Sequence, residues 1–352
     1  MGATMKDIAK RTGLGLATIS SYFNGGNVRE KNRIKIEEAI EELHFEVNEV
    51  ARGLKTNRTK TIGIIIPELN NIFFAEIITE AEDILRSRGY ATMICDCRSD
   101  NEREKEAADF LYHRRVDGVI VMPAGKSGDA LMKFIRAGKP VVMIDRKMQD
   151  LPCDCILVEN EGAAEDAVSR LIDAGHRRIG MIAGPEDVYT ARERQRGYQK
   201  ALEENGLNCD DSLIARGNYT IAGGAAAMRK LRETNPDMTA VFISNYEMTV
   251  GAMMEINDLG IKIPEDISVI GFDNVDFAKA SVPRLSIVTQ PTDKIGREAA
   301  NILIEKLETR ENSVQADEKK PEDRTTVTVT LKTGFVEGKS VRNLRQSGCT
   351  EA

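Results

Sequence analysis

From Thr61 onward the sequence alternates short apolar runs with amphipathic ones. TIGIIIPE is apolar and β-branched, and FFAEIITEAEDILRSRGY behind it has a helical pattern. ATMICDC precedes NEREKEAADFLYHRR, DGVIVMPA precedes LMKFIRAGK, and PVVMIDRK follows. CILVEN, RRIGMIAG, TAVFISN and DISVIGFDN continue the strands, and a last helix is predicted over residues 293–307. Near-continuous apolar strands between helices mark a parallel sheet covered on both faces. The units exceed one sheet of ordinary width, so two doubly wound lobes are expected. Ligands in such folds sit beyond the carboxyl ends of the strands, here in the cleft between lobes. The strand-end residues Asn70, Asn71, Asp145, Arg146, Glu159, Asn160, Asn245, Asp273 and Asn274 are the candidates for binding. Residues 309–324 are polar and Pro-interrupted and read as a loop, and TTVTVTLKTGF alternates like one final strand.

The first 57 residues look different. Thr4-Met5-Lys6-Asp7 matches a capping box that opens a helix ending at Gly13. A second short helix is predicted from Leu16 to Asn24, closed by Gly25-Gly26. A third runs from about Glu30 to His44, with Ile36, Ala39, Ile40 and Leu43 on one stripe. Two short helices, a Gly-containing turn and a third helix make a helix-turn-helix pattern. The whole chain is acidic, with a formal charge of −7, which argues against a generic nucleic-acid or anionic-membrane binder. The head departs from that balance: Lys6, Lys10, Arg11, Arg29, Lys31, Arg33 and Lys35 oppose only Asp7 and Glu30 up to position 35. A basic head on an acidic body suits a small DNA-binding module joined to something else.

Other classes fit less well. No apolar leader opens the chain and no run approaches the roughly 18 apolar residues of a membrane span, so a cytoplasmic protein is expected. Cys95/Cys97 and Cys153/Cys155 form two C-x-C pairs without a nearby His, which reads as reduced structural thiols rather than a metal site. With three His, no G-x-S-x-G and no phosphate-binding P-loop, the residues point away from an enzyme and from any cofactor.

The ordered set MKDIAKRTGLGLATIS, AIEEL, NEVARGLKTNRTKTIG and the βα array resembles the LacI/GalR family of bacterial transcription regulators, over nearly the full chain to about Val341. The resemblance implies a helix-turn-helix head with a hinge helix (1–57, hinge about 48–56). It implies a two-lobed core like a periplasmic sugar-binding protein over 61–340, and a tail over 341–352. The first lobe is expected over 61–158 and 290–322, the second over 159–289 and 323–340. It further implies a dimer on a palindromic operator and a small effector, a sugar first, between the lobes. Base reading falls to Leu16, Ala17 and Ser21, with Leu54 wedging the minor groove. Thr18, Ser20, Asn24, Arg29, Asn48 and Lys55 are expected on phosphates. The effector contacts are expected from Phe73, Phe74, Asp145, Glu159, Arg194, Tyr219, Asn245 and Asp273. Arg194 precedes Gly197-Tyr198, and Asp273 ends Gly271-Phe272-Asp273.

Three departures stand out. The family's N-P-F-F is Asn71-Ile72-Phe73-Phe74 here. Its N-D-x-x-A-x-G is Asn245-Tyr246-Glu247-Met248-Thr249-Val250-Gly251, with Tyr246 in the acidic place. The capping serine of the second helix is Gly15, an exchange that costs only a few tenths of a kcal/mol. The rival reading is a solute-binding protein with the same core fold and no DNA role, which the basic head disfavours.

Overall fold

The computed structural model describes residues 3–23, 26–46, 58–125, 127–148, 151–315 (side chains to 309) and 326–345. Residues 1–59 form one compact unit and 60–352 another.

The head is α1 (Met5–Thr12), α2 (Leu16–Phe23) and α3 (Glu30–Glu42). The Asp7 carboxylate accepts from the Thr4 backbone N–H at 2.8 Å and the Thr4 hydroxyl at 2.6 Å, and the hydroxyl bond holds its pKa below the usual carboxylate value. Gly15 supplies no side chain, yet its carbonyl accepts from Thr18 N–H and Ile19 N–H, and α2 forms. Ile8, Ile19, Ile36 and Ala39 make a small core, sealed by Tyr22, Phe23 and Phe45 among others.

The core is two six-stranded sheets. The first has the order β11-β5-β4-β3-β1-β2, from β1 (Thr61–Ile66), β2 (Ala91–Asp96), β3 (Gly118–Val121), β4 (Val141–Ile144), β5 (Asp154–Val158) and β11 (Thr328–Leu331). The helices α4 (Ile72–Ser87) and α12 (Thr292–Gln315) cover one face, and α5 (Asn101–His113) and α6 (Asp129–Arg136) the other. The second sheet has the order β12-β10-β9-β8-β6-β7, from β6 (Ile179–Ala183), β7 (Ile214–Arg216), β8 (Ala240–Ile243), β9 (Ser268–Phe272), β10 (Ser286–Thr289) and β12 (Gly334–Val336). The helices α7 (Asn160–Asp173) and α8 (Tyr189–Glu204) lie on one face. On the other lie α9 (Ile221–Thr234), α10 (Tyr246–Asp258) and the short α11 (Val275–Ala280). All pairings are parallel except β10 with β12. The inner strands are buried along their length because helices cover both faces.

Three sequence expectations change. The helix expected to stop at Leu307 runs on to Gln315, so the segment 309–324 begins as helix. TTVTVTLKTGF is two strands, not one: β11 pairs with β5 in the first sheet, and β12 with β10 in the second. Residues 328–331 therefore belong to the first lobe, and the assignment of all of 323–340 to the second lobe is corrected. The chain passes between lobes three times, at Glu159, at Gln290-Pro291 and at Lys332-Thr333. Two passages are tied together, since Glu159 N–H donates to the Leu331 carbonyl at 3.0 Å.

His176 fixes the segment leaving β12. Its ring lies 2.9 Å from Thr239 Oγ1 and 3.1 Å from the Arg342 carbonyl, in a buried place that pushes its pKa below 6.5. The folded chain thus resists protonating a ring that the unfolded chain protonates freely, so stability from this site is present above pH 6.5 and lost as pH falls. In His176→Gln, an amide replaces the ring without titrating. Its destabilisation, read as the difference in thermal midpoint from wild type, is expected to be larger at pH 8 than at pH 5. An equal difference at both values would exclude the role.

Candidate functional site

A cavity of about 700 Å³ opens between the two sheets. Its walls come from the carboxyl ends of strands in both lobes, as the doubly wound pattern requires. From the first lobe come Asn71, Phe73 and Phe74 after β1, and Asp145 and Arg146 after β4. From the second come Thr190 and Arg194 on α8, Tyr219 after β7, Asn245 and Glu247 after β8, and Asp273 after β9. Gln290, at the second passage, completes the wall.

On the first lobe, Asn71 Oδ1 accepts from Phe73 N–H at 2.9 Å and caps α4. This fixes where Phe73 and Phe74 enter the cavity, without the proline at position 72. The two rings meet edge to face, 5.3 Å apart.

On the second lobe, Arg194 is 3 % exposed. Its Nε donates to Asn160 Oδ1 at 2.8 Å and its Nη1 to the Ser244 carbonyl at 2.6 Å, and its plane lies 3.8 Å over the Phe272 ring. The Gly197-Tyr198 pair explains how α8 gets close enough. A Cβ at Gly197 would collide with the Glu161 carbonyl on α7. Tyr198 anchors the helix by donating its hydroxyl to the Ile179 carbonyl at 2.7 Å. Arg192 and Arg196, two positions to either side, are exposed.

The acids set the electrostatics. Gln290 Nε2 donates to both Asp273 oxygens, at 2.9 and 3.1 Å. Burial raises the Asp273 pKa to about 6, against the pull of Arg194. Burial, with Asp273 and Glu68 nearby, raises Glu247 to about 7. Asn245 Oδ1 caps α10 at Met248 N–H, 3.0 Å, while its Nδ2 donates to Glu247 Oε2 at 2.6 Å. Asp145, Tyr219 and Asp273 all hold left-handed backbone, φ 67, 54 and 65, strain that such residues keep where the surroundings over-determine it. The Tyr219 ring lies directly on Gly184, where a Cβ would overlap it, and its hydroxyl is 3.3 Å from Thr190 Oγ1.

Of the expected effector residues, Phe73, Phe74, Asp145, Arg194, Tyr219, Asn245 and Asp273 come together in this cavity. Glu159 does not. It is exposed at the first passage between lobes, where its backbone bonds to Leu331. Its neighbour Asn160 serves the site by holding Arg194. Sequence reasoning missed Glu247 and Gln290. Gln290 stands at the end of β10, which was the available signal, whereas Glu247 is the second residue of α10.

In the head, Leu16 is 47 % exposed and Ala17 and Arg29 are exposed. Thr18, Ser20 and Ser21 are half-buried. On α2, Ile19 is buried in the small core, while Leu16 and Ala17 in the first turn are exposed. Asn24, Asn48, Leu54 and Lys55, with the hinge over 48–56, lie outside the described residues. Among the described residues no group of acidic, Cys or His side chains could hold a metal, and no helix is long and apolar enough to cross a membrane.

Residues 4–48 match the model of bacterial regulatory proteins of the lacI family, and 168–341 that of the periplasmic binding protein-like domain. The HTH-type transcriptional repressor CytR of Escherichia coli K12 is 35 % identical over 307 residues, 87 % of this chain and 90 % of that protein. Catabolite control protein A of Priestia megaterium is 34 % identical over 305 residues, 86 % and 92 % of the two chains. Among solved structures, a complex of the transcriptional regulator CelR with cellobiose superposes with a TM-score of 0.71 at 29 % identity, covering 96 % of this chain and 99 % of that one. The lac repressor dimer bound to operator has the same fold, TM-score 0.82 at 24 % identity, covering 97 % and 100 %. With a helix-turn-helix head, a two-lobed core and full-length relatives above 30 % identity, the chain belongs to the lacI family of DNA-binding transcriptional regulators.

Proposed function

We propose that the protein is a cytoplasmic repressor that binds a palindromic operator as a dimer and releases or tightens it in response to a sugar held between its lobes. The observation that carries this reading is the cavity itself. Aromatic rings of one lobe face a buried arginine, an aspartate and a tyrosine of the other across a space of about 700 Å³. That size suits a small polar ligand, and aromatic platforms beside acid and amide acceptors suit a polyhydroxy ring. The relative CelR held with cellobiose supports a carbohydrate. Edge strand β2, with Ile94 43 % exposed, and Met254 on α10, 55 % exposed, offer apolar surface for a second copy to cover. The work is binding rather than turnover, in keeping with relatives that are repressors.

Effector and operator are then linked reciprocally. Operator titrations at zero and at saturating effector should differ by about 5- to 150-fold, and equal affinities would sink the reading. Gly184→Ala pushes the Tyr219 ring off its seat. It is expected to weaken effector binding and, with it, the effector's shift of operator affinity, both measurable by calorimetry and fluorescence anisotropy.

The uncharged face of α2 sets the operator preference. Leu16 and Ala17 favour thymine methyls, and Ser21, where many members carry arginine, relaxes the demand for a guanine. Phosphate contacts of Thr18, Ser20, Arg29 and the hinge supply affinity. Replacing thymine by uracil across a half-site should cost about 0.8 kcal/mol for each methyl that the helix covers. Unchanged affinity would refute the methyl contacts.

A further inference from the structure

Among the described residues, the cavity lining carries seven carboxylates against two arginines. Asp145 is 8 % exposed and, among the described residues, its carboxylate accepts no hydrogen bond. Its nearest cation, Arg146 Nε, stands 3.5 Å away. Gln290 spends its amide N–H on Asp273 and leaves Oε1 buried without a partner. Glu247 receives one bond from another residue, Asn245, and pairs with no cation among the described residues. Arg194 is engaged with Asn160 and Ser244, while Arg146 donates Nη1 to the Pro123 carbonyl at 2.7 Å and keeps a buried Nε, without a hydrogen-bond partner, facing Asp145.

Three of the helix N-termini at the cavity, the usual seats of anions, are taken by side chains, while that of α8 after Val188 has no side-chain cap. Asn71 caps α4, Asn245 caps α10, and Thr220 Oγ1 accepts from Gly223 N–H at 3.0 Å to cap α9. A phosphate brings acceptor oxygens and negative charge. It would meet carboxylates that outnumber the cations, in a place with reduced screening.

We propose that this cavity is a charge filter: it takes a donor-rich effector that is uncharged or cationic and rejects a phosphorylated one, with Glu247 as the residue that sets the selection. The filter rests on the effector reading above and narrows it. Glu247 is the apt determinant because Asp273 already has Gln290 and Arg194 beside it, whereas Glu247 has no opposing charge among the described residues.

The test uses the full-length protein, wild type and Glu247→Lys, with Glu247→Gln as a milder second variant. Thermal shift and calorimetry compare inorganic phosphate with chloride at matched ionic strength, then ribose with ribose 5-phosphate and glucose with glucose 6-phosphate. Wild type is expected to gain nothing from phosphate and to prefer the unphosphorylated member of any pair that binds. Glu247→Lys is expected to gain phosphate binding and to narrow the preference by about tenfold or more, with Glu247→Gln between the two. Phosphate stabilising wild type as strongly as Glu247→Lys, or a phosphorylated sugar binding wild type more tightly than its parent, would overturn the filter. If no sugar binds while phosphate separates the variants as expected, the filter stands and the sugar reading falls.

Discussion

A buried guanidinium organises the second lobe's half of the cavity. A charge removed from water survives only when paired or fully hydrogen-bonded. Arg194 achieves this with a side-chain oxygen on α7, a carbonyl at the end of β8 and the face of an aromatic ring at the end of β9. Three elements are thereby held at set distances from α8. The ring is Phe272, and the next residue is Asp273, so the clamp on one also places the other. Gly197 belongs to the same constraint, because any side chain there would lift α8 off α7 and pull Arg194 from Asn160. The spacing of Arg194, Gly197 and Tyr198 is one mechanical unit: a reaching arm, a close approach and an anchor.

Against this rigid wall stand groups held at some cost. Asp145, Tyr219 and Asp273 sit in left-handed backbone, and Asp273 and Glu247 are carboxylates that their surroundings push towards the neutral form. None of this favours the ligand-free fold. Strain and unpaired acceptors gathered at one place are what a binding site shows when the ligand supplies the missing partners.

Much of this was legible in the sequence. The alternation of apolar strands and helices fixed two covered parallel sheets, and the strand-end rule placed the cavity. The rule failed at Glu159 for a physical reason. The chain leaves the first lobe there, so that strand end points into a passage rather than into the cleft. TTVTVTLKTGF concealed its break because its apolar alternation runs on through both halves, although only β11 keeps an exposed face; Phe335 and Val336 of β12 pack on opposite faces of the second sheet. Which sheet each half joins depends on partners far away in the chain. The extension of α12 past Leu307 was hidden for the opposite reason: it is polar, with no apolar stripe to announce a helix. Glu247 was passed over because the acid expected at position 246 has its counterpart one residue later, and only the cap geometry of Asn245 shows that the neighbouring position faces the cavity.

Gln290 connects binding to motion. It lines the cavity, holds Asp273 of the second lobe, and begins the passage into α12 of the first. A ligand changes a conformational equilibrium only by its differential affinity for the two states. A hydrogen bond to Gln290 Oε1, or one that competes for Asp273, is made on the hinge itself, so its strength depends on how the lobes stand. The other passages cannot ignore the change, since Glu159 and Leu331 are bonded to each other across two of them. Three strands of chain that must move together favour two discrete arrangements over a continuum of intermediate ones. In the proposed binding mode, the contact that recognises the ligand and the joint that responds to it share one side chain.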